Sequence, residues 1–95
     1  MPKAIWNETV IAESDKFEVV ENNIYFPPES IKKEYFKSSS THTTCPWKGI
    51  ASYYTVEVNG SVNKDVAWYY PQASDAAKNI ENYVAFWKGV KILKE

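Results

Sequence analysis

The residues with the clearest chemical potential lie in one run, Cys45-Pro46-Trp47-Lys48-Gly49. A proline drives the residue before it into extended backbone, here Cys45. Pro46 also suits the first central position of a tight turn, and Gly49 can supply a bulge or a positive φ. Such a turn holds Cys45, Trp47 and Lys48 close together. A thiol beside an ammonium ionises more readily, so Cys45 is a candidate nucleophile or redox thiol with Lys48 as its activating neighbour. His42, the sole histidine, sits three residues upstream and is a candidate base for that thiol. The plain alternatives are an inert, partly buried thiol and a histidine in solvent. Glu21 follows the apolar pair Val19-Val20 and precedes Asn22-Asn23. On an interior-facing strand it would be a buried carboxylate with a raised pKa, a general-base candidate and a partner for Lys48. On an exposed strand end it would be an ordinary surface acid.

A second set is aromatic. Tyr25, Trp47, Tyr53, Trp68 and Tyr70 are candidate ligand-binding residues, with His42 at their margin. Tyrosine and tryptophan combine a stacking face with a polar tip, so several around a polar cleft favour ligand stacking or cation–π capture. Any one of them taken singly reads equally as core.

Composition narrows the field. The chain holds eleven Lys and no Arg against twelve acids, a formal net charge of −1. Arginine is the residue of choice for bidentate phosphate and guanine recognition, so its absence without a basic surplus argues against nucleic acid as a partner. Gly49, Gly60 and Gly89 are isolated and build no phosphate-cradling loop. One cysteine supports neither an internal disulfide nor a cysteine-rich zinc site. Asp15, Asp65 and Asp75 lie too far apart for a local metal-holding pair. No metal site and no particular cofactor is indicated. A reducing, cytoplasmic setting is expected from the lone thiol and from an N-terminus without an apolar leader. No apolar run reaches the roughly 20 residues needed to span a bilayer, so no membrane partner is expected.

The elements that must position these residues read as mainly β. At 95 residues the chain fits a single domain, and its 16% aromatic content lets few side chains fill a core. Residues 9–13 form a first strand, Ser14-Asp15-Lys16 a turn, and residues 17–21 an alternating strand. Asn22-Asn23 reads as the next turn, residues 24–26 as the returning strand, and Pro27-Pro28 as its stop. One helical turn follows. Residues 38–44, rich in Ser and Thr, read as a surface loop or an irregular strand. The clearest hairpin joins residues 49–58 to 61–70 through Asn59-Gly60, a type I′ signal. It sets Val66, Trp68 and Tyr70 on one face, Ala67 and Tyr69 on the other. Residues 74–80 read as a short helix with Ser74 as N-cap, and the tail as further strands, although Ala76, Ile80, Val84 and Trp87 also fit a helical stripe. Together these predict a compact curled sheet or small barrel, tent-like, with one short helix.

The segments Val19-Val20-Glu21-Asn22-Asn23-Ile24-Tyr25-Phe26-Pro27-Pro28, Thr43-Thr44-Cys45-Pro46-Trp47-Lys48-Gly49 and Ala67-Trp68-Tyr69-Tyr70-Pro71, with residues 80–86, resemble a family of small bacterial and fungal proteins of unknown function, sometimes labelled nucleotidyltransferase-like. The resemblance covers nearly the whole chain and implies a curled, tent-like β fold with no established activity. The family pattern has Gly-Asn-His ahead of Tyr-Phe-Pro, whereas this chain has Asn22-Asn23-Ile24. Isoleucine neither titrates nor ligates a metal, so a mechanism through that histidine does not transfer. Nucleotidyl transfer needs phosphate binding and metal-holding carboxylates, and neither pattern is present. The leading expectation is a pocket for a small polar or cationic ligand around Cys45, Trp47 and Lys48. An enzyme using Cys45 is the alternative, and an aromatic cluster with no pocket chemistry is the third.

Overall fold

The computed structural model describes residues 1–94 and holds nine strands in three antiparallel sheets. Strands β1 (Lys3–Trp6), β2 (Thr9–Glu13) and β9 (Lys91–Leu93) make a three-stranded sheet in the order β2-β1-β9. Strands β3 (Glu18–Val20) and β4 (Asn23–Tyr25) form a hairpin. Strands β5 (Phe36–Cys45), β6 (Gly49–Val58), β7 (Ser61–Tyr69) and β8 (Ala85–Phe86) form the largest sheet, in chain order. The fold is mainly β, as expected; none of the sheets closes into a barrel. The helical segments Pro28–Ser30, Lys33–Tyr35 and Asp75–Ile80 are all 3-10 turns.

Local chemistry explains most boundaries. Asn59 and Gly60 both take positive φ, 50° and 83°, and close the β6–β7 hairpin as its sequence predicts. The β3–β4 turn sits one residue earlier than expected. Its left-handed residues are Glu21 (φ 53°) and Asn22 (φ 66°), and Val20 pairs with Asn23. A glutamate therefore occupies a backbone region that side chains of its type rarely adopt. Of the two readings of residues 38–44, the irregular strand holds: they are part of a ten-residue strand. Hydroxyl side chains obscure it, and its pairing with β6 shifts register between Ser38 and His42. Such irregular edge strands lack the clean alternation that marks a strand in sequence.

Two apolar clusters occupy the two faces of the large sheet, sorted by the two-residue period of strands. Ile24, Phe26, Val56, Val58, Ala67 and Phe86 enter the first, which packs against Ala4, Ile11 and Ala12 of β1 and β2. Tyr25, Ala51, Tyr70, Ala73, Ala77, Ile80 and Ala85 enter the second, with Cys45, Tyr53 and Trp68 packed against it. The faces expected for β7 hold for Trp68, Tyr70, Ala67 and Tyr69, but Val66 lies with Ala67 in the first cluster. Asp65 takes φ 56° just ahead of it, and the β6–β7 register shifts between Tyr54 and Val56. That bulge turns Val66 across the sheet. Paired backbone bonds of 2.8 Å between Phe26 and Val84 tie β4 to the segment leading into β8. Tyr25 is thereby held beside Trp68.

Candidate functional site

Strands β5 and β6 meet at Pro46-Trp47-Lys48, and this turn is fastened from outside. The Ser74 N–H donates to the Lys48 carbonyl at 3.0 Å, and the Ser74 hydroxyl donates to the Trp47 carbonyl at 2.5 Å. Ser74 does stand at the N-cap position, yet its hydroxyl serves the turn instead of capping the helix. Gly49 has φ 120°, and a Cβ there would lie 3.2 Å from the Gln72 carbonyl oxygen. A glycine at 49 is thus required by both the backbone conformation and the close approach of residues 72–74.

The turn sends Lys48 inward. Lys48 is 6% exposed, the one buried charged residue among those described. Its ammonium donates to Glu21 Oε1 at 2.5 Å, and lies 5.3 Å from the Trp47 ring centroid and 5.6 Å from that of Tyr70. Both distances fall within cation–π range. Burial is the largest single influence and pulls the Lys48 pKa down, but the Glu21 hydrogen bond, the charges of Tyr25 and Tyr70 where ionised, and the Glu21 charge together outweigh it. The net result is a pKa above the ordinary lysine value. Lys48 is therefore a fixed cation at neutral pH and not an amine nucleophile.

Of the two sequence readings of Glu21, the exposed strand-end acid is the one found. Its side chain is 54% exposed, and the Lys48 and Trp47 hydrogen bonds hold its carboxyl below the usual range. The buried carboxylate with a raised pKa is not found. The positive-φ turn places Glu21 outside the cluster, reaching in only as far as the ammonium. The Trp47 indole N–H approaches its other oxygen, Oε2, at 3.4 Å.

Beside this pair lies a cleft of about 220 Å³ lined by Lys48, Tyr53, Trp68, Tyr70 and Trp87. Trp68 meets Tyr25 edge-on at 6.2 Å and donates its indole N–H to the Tyr25 hydroxyl at 3.2 Å. The Tyr53 and Thr43 hydroxyls lie 2.9 Å apart. Burial pushes the Tyr70 phenol up to about 12 against the opposing Lys48 cation, so it stays protonated at neutral pH. Cys45 is partly buried among the second apolar cluster, paired with Gly49 across the hairpin.

Seven residues singled out from the sequence thus converge: Glu21, Tyr25, Trp47, Lys48, Tyr53, Trp68 and Tyr70. Cys45 packs beneath them. His42 does not join them. It approaches Ser52 at 3.3 Å and lines a different cleft with Gly49, Ile50, Ser52, Pro71 and Gln72. Positions 42 and 45 are three apart on a regularly paired stretch of β5, so their side chains point to opposite faces. With residues 38–44 open between loop and irregular strand, the sequence did not determine that orientation. The sequence reading also missed Trp87. It is 49% exposed, meets Trp68 edge-on at 6.4 Å and is anchored by its indole N–H to the Asp65 carbonyl at 2.8 Å. Its only sequence signal was a tryptophan just ahead of Lys88-Gly89, where a strand ends.

No helix among the described residues is long and apolar enough to cross a membrane. None of the curated proteins matches this chain. The profile described as Domain of unknown function (DUF427), with the label NTP_transf_9, matches residues 2–94, and the chain belongs to that family.

Proposed function

We propose that this protein binds a small polar ligand in the cleft between Lys48, Tyr53, Trp68, Tyr70 and Trp87. The observation that carries this reading is the cleft's composition: aromatic faces around a nearly buried cation. Pockets that orient ligands combine apolar walls with a few placed polar groups, and this cleft has that make-up. A cationic ligand is the poorer choice, because Lys48 already occupies the aromatic box such a ligand would need. Nucleotidyl transfer fits poorly too, since the lining offers one ammonium and no carboxylate to hold a metal. Thiol catalysis at Cys45 is the second-ranked reading, because the histidine that would serve it faces the other way.

A thermal-shift screen against polar metabolites and ring fragments tests the proposal, run in parallel on the parent protein and Trp87→Ala. Trp87 is half-exposed, so its loss opens the cleft without emptying the core. Stabilisers of the parent should lose their effect in the variant. Stabilisers acting equally on both, or none at all, would count against the cleft.

A further inference from the structure

Building on the binding reading above, we infer that the cleft's ligand is a small planar carboxylate, one ring or conjugated unit bearing a single carboxylate group. The inference starts from the hydrogen-bonding capacity of Lys48. An ammonium has three N–H donors and no acceptor. Among the described residues the acceptor it meets is Glu21 Oε1 alone. Two donors therefore remain on a side chain that is only 7% exposed and that lines the cleft. Buried donors without acceptors are costly, and rings facing a cation give it electrostatic support but no hydrogen bond.

The Lys48–Glu21 pair is also oriented. Lys48 lines the cleft, whereas Glu21 does not and its side chain is 54% exposed. The pair presents its positive end inward. The Tyr70 phenol, protonated at neutral pH, adds a second donor-capable group to the lining. An acceptor with negative charge is the complement to such a surface. One cation, shared with a resident carboxylate and unsupported by arginine or a glycine-rich loop, suits a single negative charge better than a phosphate dianion.

Shape sets the remainder of the ligand. The walls are indole and phenol rings, which favour a flat partner. The cleft measures about 220 Å³. A dry cavity of about 150 Å³ takes benzene, so this volume suits one ring with one substituent.

Isothermal titration at pH 7 with benzoate, benzamide and benzamidine separates the charge from the ring. The inference predicts benzoate binding about tenfold tighter than benzamide, as a charge-assisted bond exceeds a neutral one, with benzamidine weakest. Glu21→Gln removes the resident competitor from an exposed position. It should tighten benzoate by about tenfold and leave benzamide nearly unchanged. Benzamide matching or exceeding benzoate, or an unaltered benzoate-to-benzamide ratio in Glu21→Gln, overturns the carboxylate assignment while leaving the cleft a binding site. Silence from all three probes also overturns it, and the thermal screen then decides the broader reading separately.

Discussion

Replacing the exposed Glu21 by glutamine is expected to destabilise the fold more than replacing the buried Lys48 by methionine. The order follows from where each charge sits. Removing Lys48 frees Glu21, whose side chain is 54% exposed, to return to water. Lys48→Met forfeits two cation–π contacts, worth up to about 2 kcal/mol each for a desolvated ammonium. It also abolishes an ammonium desolvation cost of several kcal/mol and keeps the stem's packing with a thioether of similar length. The net change is expected to lie within about 1 kcal/mol of the parent. Glu21→Gln does the reverse, because the ammonium stays buried and loses its counter-charge. Burial, the largest influence on Lys48, then goes less opposed and its pKa falls from its raised value. The double variant should resemble Lys48→Met alone, since glutamine at 21 matters only while the cation is present.

The pH dependence follows from the carboxyl. Glu21 has a folded pKa below its ordinary 4.5, so its contribution is present above pH 4.5 and is lost as pH falls through the folded value. Lys48 has a raised pKa, so its contribution is complete below the ordinary 10.5 and disappears only at more alkaline pH. Urea unfolding followed by far-UV circular dichroism at pH 7 and pH 2.5 measures both effects. The midpoint of Glu21→Gln should trail the parent at pH 7, and the gap should narrow at pH 2.5. A Lys48→Met variant less stable than Glu21→Gln at pH 7, or a gap undiminished in acid, would refute the reasoning.

Three further outcomes follow. Tyr25→Phe takes the acceptor from the indole N–H of the half-buried Trp68 and should cost about 0.5–1.5 kcal/mol by urea denaturation. Asn59→Ala forces alanine into φ 50° at the β6–β7 turn and should cost about 1–2 kcal/mol, whereas Asn59→Gly should be nearly neutral. His42→Ala, on the outer face of β5, should leave both ligand affinity and the iodoacetamide labelling rate of Cys45 unchanged.

Much of the fold is legible because short-range chemistry dictates it. Asn59-Gly60 determines its own turn, Pro27-Pro28 stops β4, and the Tyr-, Val- and Ile-rich run of residues 49–58 marks β6. The irregular parts were less readable for a common reason. The bulge at Asp65, the register shift in β5 and the positive φ of Glu21 depend on cross-strand partners that no local window contains. Lys48 and Glu21 could be paired as a conjecture, but their relative burial could not. That depends on residues 72–74 closing over the turn and on the β3–β4 corner swinging Glu21 outward. Trp87 escaped for the same reason, since its place in the cleft rests on an anchor to Asp65 twenty-two positions away.

The most direct test is a titration of the nitrogen-15-labelled protein with benzoate, watching the four tryptophan indole N–H signals and the Lys48 ammonium. The account predicts that Trp68, Trp87 and Lys48 shift together along one saturable curve while Trp6 stays fixed. Equal movement of Trp6, or a Lys48 signal indifferent to benzoate at saturation, would contradict it.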